Sequence, residues 1–166
     1  MKQRWAEITG TFFYVGYMKP APGTWGSLAA LPLGWLIYQI GGIWLFLLAI
    51  PATYVKGYIA TKIMTEGHDN HDPSEIVIDE VVGQWIALAP VLIGATMSGV
   101  SALALWPGWI AAFLFFRLYD IMKPGPVGWA DRKDNATGVM LDDVIAGMFA
   151  ALCVVGLAGV WHGIAM

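Results

Sequence analysis

Three short stretches carry acids where a largely apolar chain has little reason to hold them: IVIDEVVGQW, FFRLYDIMKP and GVMLDDVIAG. The first pairs Asp79 with Glu80 after three apolar residues, the second sets Arg117 and Asp120 one helical turn apart, and the third pairs Asp142 with Asp143. Neighbouring carboxylates repel one another, and a carboxylate at the centre of a bilayer costs about 2.5–3.5 kcal/mol even on lenient insertion scales. A hard divalent cation offsets that cost. Magnesium takes oxygen ligands, keeps several waters and commonly uses one or two protein carboxylates beside the oxygens of a substrate phosphate. Arg117, Lys123, Arg132 and Lys133 fall in the same polar layer, and a guanidinium binds phosphate through two parallel hydrogen bonds. Carboxylates for Mg2+ and cations for phosphate point to phosphoryl chemistry at a lipid headgroup.

Each cluster alone has a simpler reading. Asp79 and Asp142 suit the positive N-terminal end of a helix, and Arg117 with Asp120 forms an i,i+3 ion pair. The three together favour a site, because helix ends gather ligands from distant parts of a chain. Other candidates carry less. His68 and His71 have a spacing that binds metals, but they lie in a polar loop without cysteines and read as solvated. His162 reads as interfacial at the far end, and Cys153 as a small residue in an apolar run. KPAPGTWGS, Lys19 to Ser27, fits either an ordinary turn or a loop whose amides, Thr24 and Ser27 approach a phosphate.

The elements that must position these groups are membrane helices. The chain has 166 residues, 58% hydrophobic and 13% charged, with nine tryptophans. Soluble chains average about 25% charged residues, and indole rings favour the membrane interface. A helix needs about 20 apolar residues to cross the hydrocarbon core. Residues 24–63 supply two such lengths with a break at Gly41 and Gly42, the first length short and containing Pro32. Further spans are predicted at about Ile76–Met97, Ala102–Met122 and Asp142–Ile164. The expectation is an all-α, polytopic bundle of about five transmembrane helices, the first short, kinked or re-entrant, in a single integral membrane domain covering 1–166.

With that topology all nine lysines and arginines fall on the side of the N-terminus and of the loops at 64–75 and 123–141, or on helix ends facing it. The positive-inside rule makes that side cytoplasmic. A net charge of −3 without a basic run argues against nucleic acid, and the N-terminus lacks the apolar stretch of a cleaved signal peptide.

APGTWGSLAALPL, IVIDEVVGQWIAL, and FRLYDIMKPGPVGWADR followed by GVMLDDVIAG resemble the successive signature blocks of the phosphatidylglycerophosphatase A family. The resemblance covers Pro22 to Gly147 in the family's order, with the stretch HDNHDPSE as an insertion-like departure. It implies a magnesium-dependent, multi-pass phosphatase of the bacterial inner membrane with its active site facing the cytoplasm. Its substrate would be the phospholipid phosphatidylglycerophosphate, and its lipid product phosphatidylglycerol. Carried onto this sequence, Asp79, Glu80, Asp142 and Asp143 would ligate Mg2+, and Arg117, Lys123 and Arg132 would hold the phosphate. Asp120, Asp131 and Asp79 would be the catalytic acids, with a metal-activated water and a phospho-aspartyl intermediate both open. A homo-oligomer is compatible with this reading.

Two other classes fit parts of this pattern. A small cation or proton transporter or channel would place acids along a path through the bilayer, but the distal half carries no acid or base except His162. A scaffold subunit would use the carboxylates to pair with a partner's cations. The chain also lacks the spaced aspartates of a CDP-alcohol phosphotransferase and the Lys…Arg-Pro and Ser-Gly-His blocks of phosphatidic-acid-type phosphatases.

Overall fold

A computed structural model describes residues 1–67, 73–133 and 135–165, with side chains through Trp161. His68, His71 and the side chain of His162 therefore lie outside the described residues. Among the described residues, regular structure is helical throughout: α1 (Lys2–Gly10), α2 (Pro22–Thr65), α3 (Ile78–Ser98), α4 (Trp106–Met122), α5 (Pro126–Asp131) and α6 (Ala136–Ala165). Short 3-10 turns occur at Val15–Tyr17 and Ala102–Leu105.

α2 is two helices joined where the expected break falls, at Gly41 (φ −135°, ψ 17°) and Gly42 (φ 64°, ψ −164°). The positive φ at Gly42 is open to glycine at no steric cost, because a Cβ disfavours that region. Gly26 in the first half lies against Val77, and Gly57 in the second half lies against Ile78. Both ends of α2 thus return to the start of α3, and its halves run antiparallel. Pro32 in the first half sits inside helical backbone, and the departures from helical φ/ψ fall at the two glycines.

α2, α3, 102–122 and α6 are each long and apolar enough to cross a membrane. α3 is the central strut: 56% of its apolar window is buried, against 22% or less for the others. A helix enclosed on every side is apolar all round. Val81, Val82, Leu88 and Leu92 face the interior, and Trp85 donates its indole N–H to the Ala30 carbonyl of α2 at 2.8 Å. The outer helices instead present Ile40, Trp44, Leu48, Leu114 and Leu152 outward. Such a continuous apolar exterior suits hydrocarbon rather than water.

Two boundaries differ from expectation. The last long helix begins at Ala136, not at about Asp142, so the aspartate doublet lies in its second turn. Asn135 explains the earlier start: its side-chain oxygen accepts the backbone N–H of Thr137 at 2.9 Å and of Gly138 at 3.1 Å, as an N-cap does. The helix-dipole reading therefore suits Asp79 in the first turn of α3 but not Asp142. The segment 123–141, expected as a loop, contains α5 and the first turn of α6. α5 opens with Pro126, whose missing N–H costs nothing at a helix start.

Candidate active site

Asp79 and Asp143 each stand four residues before a glycine on the same helix face, Gly83 on α3 and Gly147 on α6. A Cβ built on Gly147 would meet the Gly83 Cα at 3.0 Å, and one on Gly83 would meet the Asp143 carbonyl at 2.6 Å. The two helices therefore touch main chain to main chain, the close approach that small residues permit between membrane helices. One turn nearer the polar end, that contact brings the two aspartates together. Glu80, rotated about 100° from Asp79 on α3, joins them through its longer side chain. One carboxylate oxygen from each of Asp79, Glu80 and Asp143 falls within 4.8 Å of the others.

These acids line a cleft of about 310 Å³ at the polar end of the bundle. α2 contributes Pro22 and Gly23, α4 contributes Arg117, Asp120 and Ile121, and Lys123, Asp142 and Asp143 also face it. Arg117 is bonded to Asp120, and its Nη1 lies 3.8 Å from Glu80 Oε1. Asp120 also lies against Asp143. Lys123 bonds Asp131 on one side and donates to Asp142 Oδ2 at 3.1 Å on the other. Burial works against its ammonium, but the hydrogen bond to Asp131 and the charge of Asp142 outweigh it and raise the Lys123 pKa above the usual lysine value. The group therefore stays charged at neutral pH.

The cleft suits a divalent cation. Oxygens 2.0–2.5 Å from a cation span about 4–5 Å across its shell, which matches the spread of the three acids. Asp79 and Asp143 are 7% and 3% exposed, and the buried atoms Glu80 Oε2 and Asp143 Oδ1 have no hydrogen-bond partner. Buried carboxylates of like charge with unused lone pairs call for a positive partner.

The structure gathers most of the residues singled out by sequence. Asp79, Glu80, Arg117, Asp120, Lys123, Asp142 and Asp143 share one cleft. Within it Asp142 turns to Lys123 rather than into the three-acid group. Asp131 and Arg132 stand outside the lining at exposed positions on α5 and its C-cap, and Lys133 lies 3.9 Å above the Trp129 ring. Of KPAPGTWGS, Ala21, Pro22 and Gly23 reach the cleft, whereas Ser27 is buried and donates to the Gly23 carbonyl at 2.8 Å. Gly23 and Ser74 were not named as site residues by sequence reasoning. The signal for Gly23 was present in Pro22-Gly23, a helix start without a side chain; a Cβ there would strike Glu80 and come 3.1 Å from Arg117 Nη1.

The class these features define is an all-helical protein with helices of membrane-spanning length and buried acids gathered with two cations at one end of the bundle. The chain matches the Phosphatidylglycerophosphatase A family over residues 8–158, and it belongs to that family. It is 37% identical over 143 residues to phosphatidylglycerophosphatase A of Haemophilus influenzae, covering 86% of this chain and 82% of that one. Phosphatidylglycerophosphatase A of Escherichia coli is 33% identical over 153 residues, covering 91% and 81%. A Bacteroides thetaiotaomicron protein, provisionally named a phosphatidylinositol-3-phosphatase, is 33% identical with 89% of each chain covered. No solved structure matches the chain.

Proposed function

We propose that the protein is a phosphatidylglycerophosphatase: it hydrolyses the terminal phosphate monoester of phosphatidylglycerophosphate, releasing phosphatidylglycerol and inorganic phosphate. The observation that carries this reading is the meeting of Asp79, Glu80 and Asp143 within 4.8 Å, in a cleft shared with Arg117 and Lys123. Family membership and the names of the relatives supply the lipid. The cofactor is Mg2+, held by Asp79, Glu80 and Asp143, with Asp142 beside them. Bound there, it supplies Lewis-acid neutralisation of the phosphoryl oxygens and of the attacking oxygen.

The chain's own residues do the rest. Arg117 offers a fork of donors to the non-bridging oxygens, and Lys123 adds a second positive charge. The N-terminus of α2, with the Gly23 amide at the cleft wall, directs the positive end of a long helix at the same anion. Asp120 accepts the proton of the attacking water, the phosphorus–oxygen bond to the glycerol breaks, and the departing oxygen takes up a proton. Asp131 acts through Lys123, keeping the ammonium in place from outside the cleft. Arg132 stands at the exposed rim, where it meets the headgroup on its way in.

In this reading the chain is a single multi-pass domain of the bacterial inner membrane. The halves of α2 with α3, 102–122 and α6 make five spans, and the cleft faces the cytoplasm where the lysines and arginines lie. A transporter would need a further line of ionisable groups toward the far side, and the distal sequence offers only His162.

The deciding assay follows phosphate release from phosphatidylglycerophosphate in mixed micelles, with EDTA, with Mg2+ restored, and with Asp79→Asn. Activity is expected to vanish with EDTA, return with Mg2+ and stay absent in the variant. Undiminished release under EDTA and in Asp79→Asn would overturn the assignment of the site.

A further inference from the structure

Gln84 is the one fully buried amide side chain of α3, and neither its Nε2 nor its Oε1 has a hydrogen-bond partner among the described residues. Leaving both ends of an amide unpaired is costly in any interior, and more so in a membrane bundle with little water to compensate. One turn earlier on the same helix stands Glu80, whose Oε2 is likewise buried and unpaired. Side chains four apart on a helix are neighbours, with Cβ atoms about 5–6 Å apart. A donor without an acceptor thus sits one turn below an acceptor without a donor. The other Glu80 oxygen is engaged elsewhere: Oε1 faces Arg117 Nη1 at 3.8 Å. Asp79 and Asp143 ride on backbones set by the glycine contact of α3 with α6, whereas Glu80 reaches the cluster on a longer arm, where its carboxyl meets the Asp79 side chain and Arg117.

We infer that Gln84 is a positioning residue for the acid cluster: its amide, which touches no partner in this arrangement, turns to donate to Glu80 Oε2 when that carboxylate shares a cation with Asp79 and Asp143, and holds it in that orientation. Carboxylates that ligate metals are commonly oriented by such outer hydrogen bonds, and losing one weakens metal binding about 10- to 100-fold. The inference rests on the divalent site proposed above.

The test separates two properties that a purely structural glutamine would move together. In Gln84→Met the amide gives way to an apolar side chain of similar length, which removes two unpaired polar atoms. In the metal-free protein, where that amide has no partner, such a replacement relieves an uncompensated desolvation cost and is neutral or stabilising. For the full-length protein in detergent, titrated with Mn2+ by calorimetry, Gln84→Met is expected to bind the ion about tenfold or more weakly. Its unfolding temperature without metal stays equal or rises, and the Mg2+ concentration for half-maximal activity increases. Mn2+ affinity within about twofold of wild type would overturn the inference. A second variant, Gln84→Asn, keeps the amide but withdraws it by one methylene. It is expected to bind Mn2+ as weakly as Gln84→Met, and wild-type affinity there would equally overturn the inference should Gln84→Met fail to fold. A wild-type protein that binds no Mn2+ would remove the metal site itself and this role with it. Normal wild-type binding with unaffected variants would remove only the role of Gln84.

Discussion

The two acidic doublets, Asp79-Glu80 and Asp142-Asp143, look interchangeable in the sequence but do different things in the fold. Each makes the same local bond: Asp79 Oδ1 accepts the Glu80 N–H at 3.1 Å, and Asp142 Oδ1 accepts the Asp143 N–H at 3.0 Å. On α3 the doublet lies in the first turn, where that N–H has no carbonyl to bond within the helix. On α6 it lies in the second turn, where the backbone already satisfies itself. Successive helix residues diverge by about 100°, so a doublet addresses two directions unless one side chain is long enough to come back. Glu80 comes back and both α3 acids join the three-oxygen group; the shorter Asp142 does not and meets Lys123 instead. Adjacency in sequence is therefore a poor guide to chelation, and side-chain length and the neighbouring helix decide it.

That asymmetry can be attacked directly. The largest effect is expected from Asp143→Asn, which leaves the three-oxygen group short of a charge. Phosphate release falls on the order of 10²–10³-fold, and calorimetry shows Mn2+ binding lost with it. Next comes Gly147→Ala, whose added carbon strikes the α3 main chain at Gly83. Forcing the helices apart costs about 1–3 kcal/mol, read as a lower midpoint of thermal unfolding in detergent, and it lowers metal affinity without touching any ligand. Asp142→Asn sharpens the comparison from the other side. It removes a partner of Lys123 rather than a member of the three-acid group, so activity drops about tenfold while Mn2+ affinity changes little; equal losses in Asp142→Asn and Asp143→Asn would show that the doublets are equivalent after all. The smallest effect belongs to Asp131→Asn. The side chains of Lys123 and Asp131 are 30% and 38% exposed, and ion pairs this open contribute less than about 1 kcal/mol, so turnover changes by less than about fivefold.

Much of this was legible in the sequence, for identifiable reasons. The break at Gly41-Gly42, the α3 boundaries to within two residues and the return of the polar segments to one end all follow from runs of apolar residues interrupted by glycine or charge. Arg117 and Asp120 were readable as a pair because a helix places i and i+3 together. The start of α6 was hidden by the polar run before Met140, although Asn135 is a good N-cap residue and marks the place. α5 is too short for periodicity to reveal. The division of labour between Asp142 and Asp143, and the distance of Asp131 and Arg132 from the cleft, depend on helix rotation, which glycine packing sets and a single sequence does not display.

The glycine seam between α3 and α6 has a consequence for the work done at each catalytic cycle. With no rotatable side chain between the two backbones, the separation of the main chain at Asp79 and Asp143 is a property of the scaffold, set once as the bundle assembles. The cost of bringing the two acids close is met at that moment by helix packing, so an ion arriving there would find both backbones already in register and only side-chain torsions left to order.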